Sequence, residues 1–326
     1  MSDGDNDRYA RQMVLPEVGT EGQQRLRGAR VVVVGAGGLG CAVLPYLCAA
    51  GAGRLVIVDH DRVEESNLHR QPLYRMSDVG ELKVQAARSA LLATNPHVSI
   101  DTVAERLTPA NASALVAAGD IIVDAADSFA VTYILSDECQ RVIKPLISAS
   151  VLGLSGYVGA FCGGGPSYRA VFPEMPRQAG SCAQSGVLGT AVGVMGTLQA
   201  HMVLGLLLQL APTLGQLVTV DFRTLRFGGF SFLGAQEPVD SVLPFIAARD
   251  VTRSDIVIDL RSPTEAPVSP FESALRIQVD ELESTEPELS RDARVVLCCR
   301  TGVRAWRAAR ALQKRGHRDL ALIALG

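Results

Sequence analysis

The residues Gly35-Ala36-Gly37-Gly38-Leu39-Gly40 follow a β-branched run, Arg30–Val34, and open an apolar stretch, Leu39–Ala50, interrupted only by Pro45. Glycines at a strand-to-helix turn let the backbone approach a phosphate, and the helix N-terminus adds N–H donors and a positive dipole. Asp59 closes the next apolar run, Arg54–Asp59, where a carboxylate can take both hydroxyls of a ribose. Gly35, Gly37, Gly38, Gly40 and Asp59 thus describe a nucleotide site without yet naming a chemistry. A nicotinamide dinucleotide site uses the same turn and is the rival reading.

Three polar clusters argue against that rival. Arg8-Tyr9-Ala10-Arg11-Gln12 precedes the first strand. Ser66-Asn67-Leu68-His69-Arg70-Gln71 follows the strand end Asp59-His60-Asp61. Lys83 stands in Val79-Gly80-Glu81-Leu82-Lys83, where a helix opens. Hydride transfer does not call for such a set of cations. Phosphoryl or nucleotidyl transfer does, because its transition state spreads negative charge over several oxygens. Asp127, followed by Ser128, lies just past a fourth strand, at the carboxyl edge of a sheet. There it suits Mg²⁺, a hard cation that prefers carboxylate and phosphate oxygen.

A second chemical motif, Cys298-Cys299-Arg300-Thr301-Gly302-Val303-Arg304, also sits between a strand and a helix. Backbone N–H groups and the helix dipole at such a turn stabilise a thiolate or a persulfide.

These residues need elements to place them. Aliphatic strands at Arg30–Val34, Arg54–Asp59, Val98–Val103, Asp120–Ala125 and Pro145–Ala149 alternate with helices at Leu39–Ala50, Gly80–Thr94, Pro109–Ala118 and Val131–Val142. Continuous apolar strands separated by helices mean a parallel sheet covered on both faces. Composition shifts near Ser231–Leu243, where Gly, Pro, Gln and acidic residues replace the aliphatic runs. Beyond it the pattern restarts, with strands at Asp255–Leu260, Arg294–Cys298 and Leu320–Ala324 and a helix at Ala305–Arg315. The expected division is 1–230, a linker over 231–242, and a small second α/β unit over 243–326.

Composition bounds the rest. The 326 residues are 48% hydrophobic and 20% charged, which supplies a sizeable core and argues against disorder. A net charge of −3 and only 5% aromatics point away from nucleic acid. The N-terminus is acidic and has no apolar signal region, and the seven cysteines form no Cys-x-x-Cys pair. The expectation is a reducing, cytoplasmic setting. Gln178–Val220 carries no Lys, Arg, Asp or Glu, enough for a membrane span by length. Its glycines, glutamines and His201 suit instead a helix packed tightly inside a soluble α/β protein.

On these motifs the region from about Arg8 to about Arg226 resembles the ThiF/MoeB/HesA family, bacterial relatives of ubiquitin-activating enzymes. The resemblance implies a Rossmann-like, doubly wound, mainly parallel sheet in a homodimer. It further implies ATP and Mg²⁺ used to adenylate the C-terminal glycine carboxylate of a small β-grasp sulfur carrier ending in Gly-Gly. Carried over by position, Gly38 lies under the phosphates, Asp59 holds the ribose, and Asn67, Arg70 and Lys83 meet the phosphates. Ser66, Leu68, His69 and Asp61 are counted with them among the nucleotide-binding residues. Asp127 binds the metal, and Arg11 reaches into the partner subunit's site. Ser128 stands where the family usually has Asn, which implies retuned adenine or metal contacts.

The family's zinc site has no counterpart. One Cys-x-x-Cys pair normally brackets a Tyr-Arg dipeptide, but the chain reads Ser167-Tyr168-Arg169-Ala170, and no Cys occurs between Cys182 and Cys298. No zinc is expected. Cys182, in Gly180-Ser181-Cys182-Ala183, matches a cysteine that relatives sometimes use in sulfur or acyl transfer; an incidental thiol is the alternative. The C-terminal unit resembles a rhodanese-like domain, smaller than the first, with Cys299 as persulfide carrier. A degenerate domain that only docks partners remains open. The combined expectation is adenylation of the carrier, then attack by the Cys299 persulfide, or by an external donor such as a cysteine desulfurase, to give a thiocarboxylate. A relative that adenylates a peptide or tRNA base, a nicotinamide oxidoreductase and a non-catalytic scaffold are the competing readings.

Overall fold

The computed structural model describes residues 3–176, 186–210, 213–239, 242–284 and 289–326. β1 (Arg30–Val34) and β2 (Arg54–Val58) each begin with an exposed arginine and continue as four buried aliphatic residues. A strand with no polar alternation must be covered on both faces, and these are interior strands of an eight-stranded sheet. Its other strands are β3 (Ser99–Val103), β4 (Ile121–Asp124), β5 (Pro145–Leu152), β6 (Ser155–Cys162), β7 (Gln216–Asp221) and β8 (Arg226–Ser231). The order is β3-β2-β1-β4-β5-β6-β7-β8. β3 to β5 run parallel, and β6 to β8 extend the sheet antiparallel.

The helices of this unit are α1 (Asp3–Met13), α2 (Gly19–Gly28), α3 (Gly38–Ala50), α4 (Lys83–Thr94), α5 (Pro109–Ala117), α6 (Phe129–Arg141), α7 (Tyr168–Val171) and α8 (Gly189–Leu207). Gly80–Thr94 was expected to be helical throughout, but α4 starts at Lys83. Gly80 has φ +94° and Leu82 is extended, so the chain turns first. The antiparallel strands have no counterpart in the sequence reading. All six residues of β8, Arg-Phe-Gly-Gly-Phe-Ser, are exposed, so no buried face writes a pattern into it.

α8 is the charge-free segment, long and apolar enough to cross a membrane by length and composition alone. Here it packs across α3 and the ends of β4 and β5. A Cβ on Gly196 would stand 2.7 Å from Ala42 Cβ and from the Leu39 carbonyl, so glycine permits the close helix crossing. Gln199, buried within it, donates to the carbonyls of Asp124 (2.6 Å) and Ile147 (3.0 Å).

The second sheet holds β9 (Ile256–Asp259), β10 (Leu275–Arg276), β11 (Val295–Cys299) and β12 (Leu320–Ala324) in the parallel order β10-β9-β11-β12. α9 (Val279–Ser284) and α10 (Val303–Lys314) accompany it. Pro244 and Ile246 exchange backbone hydrogen bonds with Leu322 at 2.9 Å each, so the chain joins this sheet as it arrives from the first. One apolar cluster runs through both units, from Val32 and Leu135 through Tyr133 and Phe245 to Trp306 and Leu322.

Candidate active site

The sheet order reverses between β1 and β4, and the strand ends there flank a crevice, the usual ligand position in a doubly wound sheet. A cavity of about 410 Å³ occupies it, enough for a nucleotide-sized ligand. The glycine turn forms its floor. A Cβ on Gly40 would meet the Gly35 carbonyl oxygen at 2.1 Å, and one on Gly35 would meet the Ala125 oxygen at 2.5 Å. These two glycines let the turn fold against itself and β4. Gly37 and Gly38 face the cavity; Gly40 lies behind it.

Asp59 lines the cavity with each carboxylate oxygen already accepting one N–H, from Ala36 (2.7 Å) and from Asp61 (2.8 Å). It therefore fixes the glycine turn and retains a lone pair on each oxygen for another donor. The Ser66–Gln71 stretch is a 3₁₀ helix, Glu65–Arg70. At three residues per turn, positions three apart eclipse. Glu64, Asn67 and Arg70 accordingly line the cavity, and Gln71 joins them, whereas Ser66, Leu68 and His69 do not. His69 bonds back to the Ser66 carbonyl, and Leu68 packs on the core. Arg70 is steered by Asn67 Oδ1.

Lys83 is 5% exposed and pairs with Asp61 at 2.8 Å. Burial works to raise the Asp61 pKa, but the bond and charge from Lys83, with His60 and Arg106, outweigh it and hold the carboxyl below its usual range. Arg106 contacts His60 Nε2 at 2.7 Å, and both line the same wall. Asp127 and Ser128 line the opposite side. The Asp127 carboxylate is exposed and makes no hydrogen bond or ion pair with the described residues. Gln71 is buried, and its Oε1 has no partner. An unmet buried acceptor costs about 1–3 kcal/mol, so this one suits a ligand donor or water.

Sequence reasoning missed several of these groups. Asp124 is wholly buried beneath the Ala125–Ser128 turn. It accepts from Thr132 (2.7 Å), Ser148 (2.8 Å) and the Ala126 amide (3.3 Å). Burial pushes its pKa up to about 6 against the pull of those donors. Arg106, Glu64 and Gln71 had no strong local pattern, although Gln71 ends a motif already singled out. A second, mostly apolar cavity of about 640 Å³ shares Phe129, Ser150, Leu152, Tyr157 and Pro176 with the first and continues over β7 and β8.

Arg11 is exposed in the last turn of α1 and does not line this cavity. Tyr9 and Gln12 anchor α1 at the far end of α3, through Asn95 (2.8 Å) and the Ala50 carbonyl (2.9 Å). A 13-residue helix, about 20 Å, separates that anchor from the glycine turn. Cys182 lies outside the described residues.

In the second unit, Cys299 is fully buried at the end of β11, and its Sγ accepts from the Gly302 amide (3.1 Å) and the Ala305 amide (3.4 Å). Neighbouring strand residues face opposite sides. Cys298 Sγ instead points to the Ile258 carbonyl (3.5 Å), and burial pushes its thiol up to about 12. The tandem cysteines thus occupy different environments. Arg304 is paired with Glu265, and Arg261 with Asp259.

Comparisons with known proteins agree with this geometry. The ThiF family matches residues 9–238, and the Rhodanese-like domain family matches residues 246–326. The chain is 46% identical over 230 residues to a sulfur carrier protein adenylyltransferase of Thermus thermophilus, covering 68% of this chain and 85% of that protein. It is 35% identical over 352 aligned positions to the probable adenylyltransferase/sulfurtransferase MoeZ of Mycobacterium tuberculosis, covering 96% and 89%. Adenylyltransferase and sulfurtransferase MOCS3 of Bos taurus is 46% identical over 67% of this chain, but the match spans only half of that longer protein. Among solved structures, E. coli MccB with ATP superposes with a TM-score of 0.60 at 22% identity, covering 73% of this chain and 75% of that one, which supports the fold.

Proposed function

The chain belongs to the ThiF family and carries a rhodanese-like domain behind it, and on that basis we propose that it adenylates the C-terminal glycine carboxylate of a small sulfur-carrier protein and converts it to a thiocarboxylate. The observation that carries this reading is the meeting of Asn67 and Arg70 from one 3₁₀ helix, Lys83 from α4 and Asp127 from the loop after β4 around one glycine-floored cavity. We assign the adenylating unit to 1–230, the linker to 231–242 and the rhodanese-like unit to 243–326.

A carboxylate is a weak nucleophile, and a triphosphate repels it. Arg70 and Lys83 lower that repulsion at fixed positions, and the cavity aligns the reactants. Carboxylate oxygen attacks the α-phosphorus, and the bond to pyrophosphate breaks. Asp59 takes the ribose hydroxyls on its remaining lone pairs. Asp127 fits Mg²⁺, because it is an uncommitted carboxylate on the cavity wall; bound there, the ion would neutralise phosphate charge. Arg11, remote from its own cavity, is assigned to the partner's site in a homodimer. The second cavity receives the flexible Gly-Gly tail of the carrier, because it is continuous with the first and lined by backbone-bearing small residues and aromatics. A Cys299 persulfide then attacks the acyl carbon through its terminal sulfur and AMP leaves with the bonding pair; a thiolate next attacks Cys299 Sγ, the S–S bond breaks so that the carrier leaves as its thiocarboxylate, and a dithiol reductant reduces the disulfide newly formed on Cys299. A cysteine desulfurase is the donor class that would charge Cys299.

Zinc does not fit the region where relatives bind it. Ser167 donates its amide and its hydroxyl to Glu237, each at 2.6 Å, and Ala170 offers no ligand. The Glu237 carboxylate thereby ties the two segments that thiolates would bracket. All six described cysteines are free thiols, which supports a reducing, cytoplasmic setting.

The test is ATP–pyrophosphate exchange with purified β-grasp carriers ending in Gly-Gly, followed by mass spectrometry of the carrier. Carrier-dependent exchange and a carrier heavier by the replacement of oxygen with sulfur are expected. Exchange that needs no carrier, or that responds to a peptide or tRNA instead, would discard the reading.

A further inference from the structure

α10 does more than open at the Cys299 loop. Its first and second turns, through Trp306 and Arg310, lie against the segment Tyr168–Pro176 of the first unit. The Trp306 indole N–H donates to Glu174 Oε2 at 3.2 Å. Arg310 donates to the same oxygen (3.1 Å) and to the Pro173 carbonyl (3.2 Å), and pairs with Glu174 Oε1 at 3.0 Å. The Trp306 ring packs 5.1 Å from Tyr133, whose hydroxyl donates to the Phe172 carbonyl at 2.7 Å. The Arg169 guanidinium lies over both rings, at 4.8 and 5.6 Å, and also reaches Asp137 and the Leu243 carbonyl.

The opposite face of this segment belongs to the second cavity, through Tyr168, Phe172, Glu174 and Pro176, and Pro176 also touches the nucleotide cavity. Among the described residues, the stretch 173–176 beyond the four-residue α7 donates no backbone hydrogen bond and belongs to no strand. Its side-chain hydrogen bonds come from Trp306 and Arg310 of the other unit, while Phe172 before it is held by Tyr133, Tyr157 and Tyr168 of the first. The Trp306–Tyr133 packing is buried, whereas the Arg310–Glu174 pair is exposed on its Glu174 side, so ring packing and the bonds that converge on Glu174 and Pro173 fix the loop together.

We propose that Trp306 and Arg310 are positioning residues for adenylation, so that the rhodanese-like domain braces, within the same chain, the groove wall that receives the carrier tail. The proposal rests on the carrier reading given above. One rigid helix then sets both the N–H donors on Cys299 and the shape of the groove.

The experiment uses the full chain, a Gly-Gly carrier that supports exchange by the unaltered enzyme, and three variants: Arg310→Ala, Arg310→Lys and Trp306→Phe. For Arg310→Ala, the KM for carrier is expected to rise about 5- to 20-fold, with kcat and the KM for ATP within about twofold. Trp306→Phe keeps an aromatic ring but loses the N–H and part of the buried indole volume, and a rise of about 2- to 5-fold is expected. Arg310→Lys keeps the pair with Glu174 and is expected to recover much of the loss. Thiosulfate:cyanide sulfur transfer, measured on the same samples, reports that the C-terminal domain is folded. A carrier KM within twofold of the unaltered value in Arg310→Ala overturns the brace. So does a fall in kcat with both KM values unchanged. If no Gly-Gly carrier supports exchange by the unaltered chain, the carrier reading itself fails, a distinct result that removes the brace with it.

Discussion

The molecule contains two strand-to-helix turns to which the proposed function assigns anions, and they are built differently. At Gly35–Gly40 four glycines keep side chains away, the turn folds on itself, and an open cavity remains for a ligand bearing several charges. Its cations come from elsewhere in the chain, from Arg70 and Lys83. At Cys299–Gly302 the loop closes around a single sulfur atom, held by two backbone amides, and the nearby Arg304 and Arg261 are already neutralised by Glu265 and Asp259. A diffuse, multiply charged ligand needs side-chain charge gathered from several elements. One sulfur, delivered covalently by the chain, needs only dipoles at close range.

The sharpest way to break this comparison is Cys299→Ala. It should remove thiocarboxylate formation and thiosulfate:cyanide transfer altogether, while adenylate still accumulates; an unchanged thiocarboxylate yield, with this chain as sole sulfur relay, would refute the assignment. Cys298→Ala should leave sulfur transfer in place, because that thiol faces the other side of β11. Next in size is Lys83→Ala, expected to slow carrier-dependent exchange by about 10²- to 10³-fold, the scale of losing one fixed charge at a transition state, with sulfur transfer from thiosulfate unaffected. Gly40→Ala should then destabilise the first unit by about 1–3 kcal/mol in urea unfolding, since its Cβ would collide with the Gly35 carbonyl. Gly37→Ala would put its Cβ in ordinary contact with Gln71 Nε2 at 3.7 Å, so it should cost far less stability and act on the KM for ATP.

The smallest effect concerns Asp124. Its folded-state pKa of about 6 lies above the ordinary carboxyl value of 3.8, so the native state binds this proton more tightly than the unfolded chain does. Stability from this group is therefore full below about pH 4 and falls as pH rises through about 6. Asp124→Asn cannot titrate, and a plot of unfolding free energy against pH should be flatter across that window. A slope equal to that of the unaltered chain would show that Thr132 and Ser148 compensate the buried charge fully.

Much of this site is legible in the sequence, because its parts are local. The glycine turn needs only a strand, four small residues and a helix, and β1 and β12 lie where aliphatic runs place them. Other parts are not legible. The 3₁₀ helix decides that Asn67 and Arg70 face the cavity while Ser66, Leu68 and His69 do not, and six residues of mixed polarity do not announce a three-residue period. The exposed β8 carries no alternation, and the groove beside it is lined by aromatics from four separate segments.

Taken alone, the sequence determined the glycine turn, the Cys299 loop and the aliphatic strands that carry them, since each depends on neighbours within a few residues. Only the tertiary structure decided that Asp124 lies buried under the Ala125–Ser128 turn, that Glu237 meets Ser167, and that Trp306 and Arg310 reach the groove wall. Those contacts join residues from 24 to 137 positions apart, and no local pattern fixes which distant side chains meet when both apolar faces are buried.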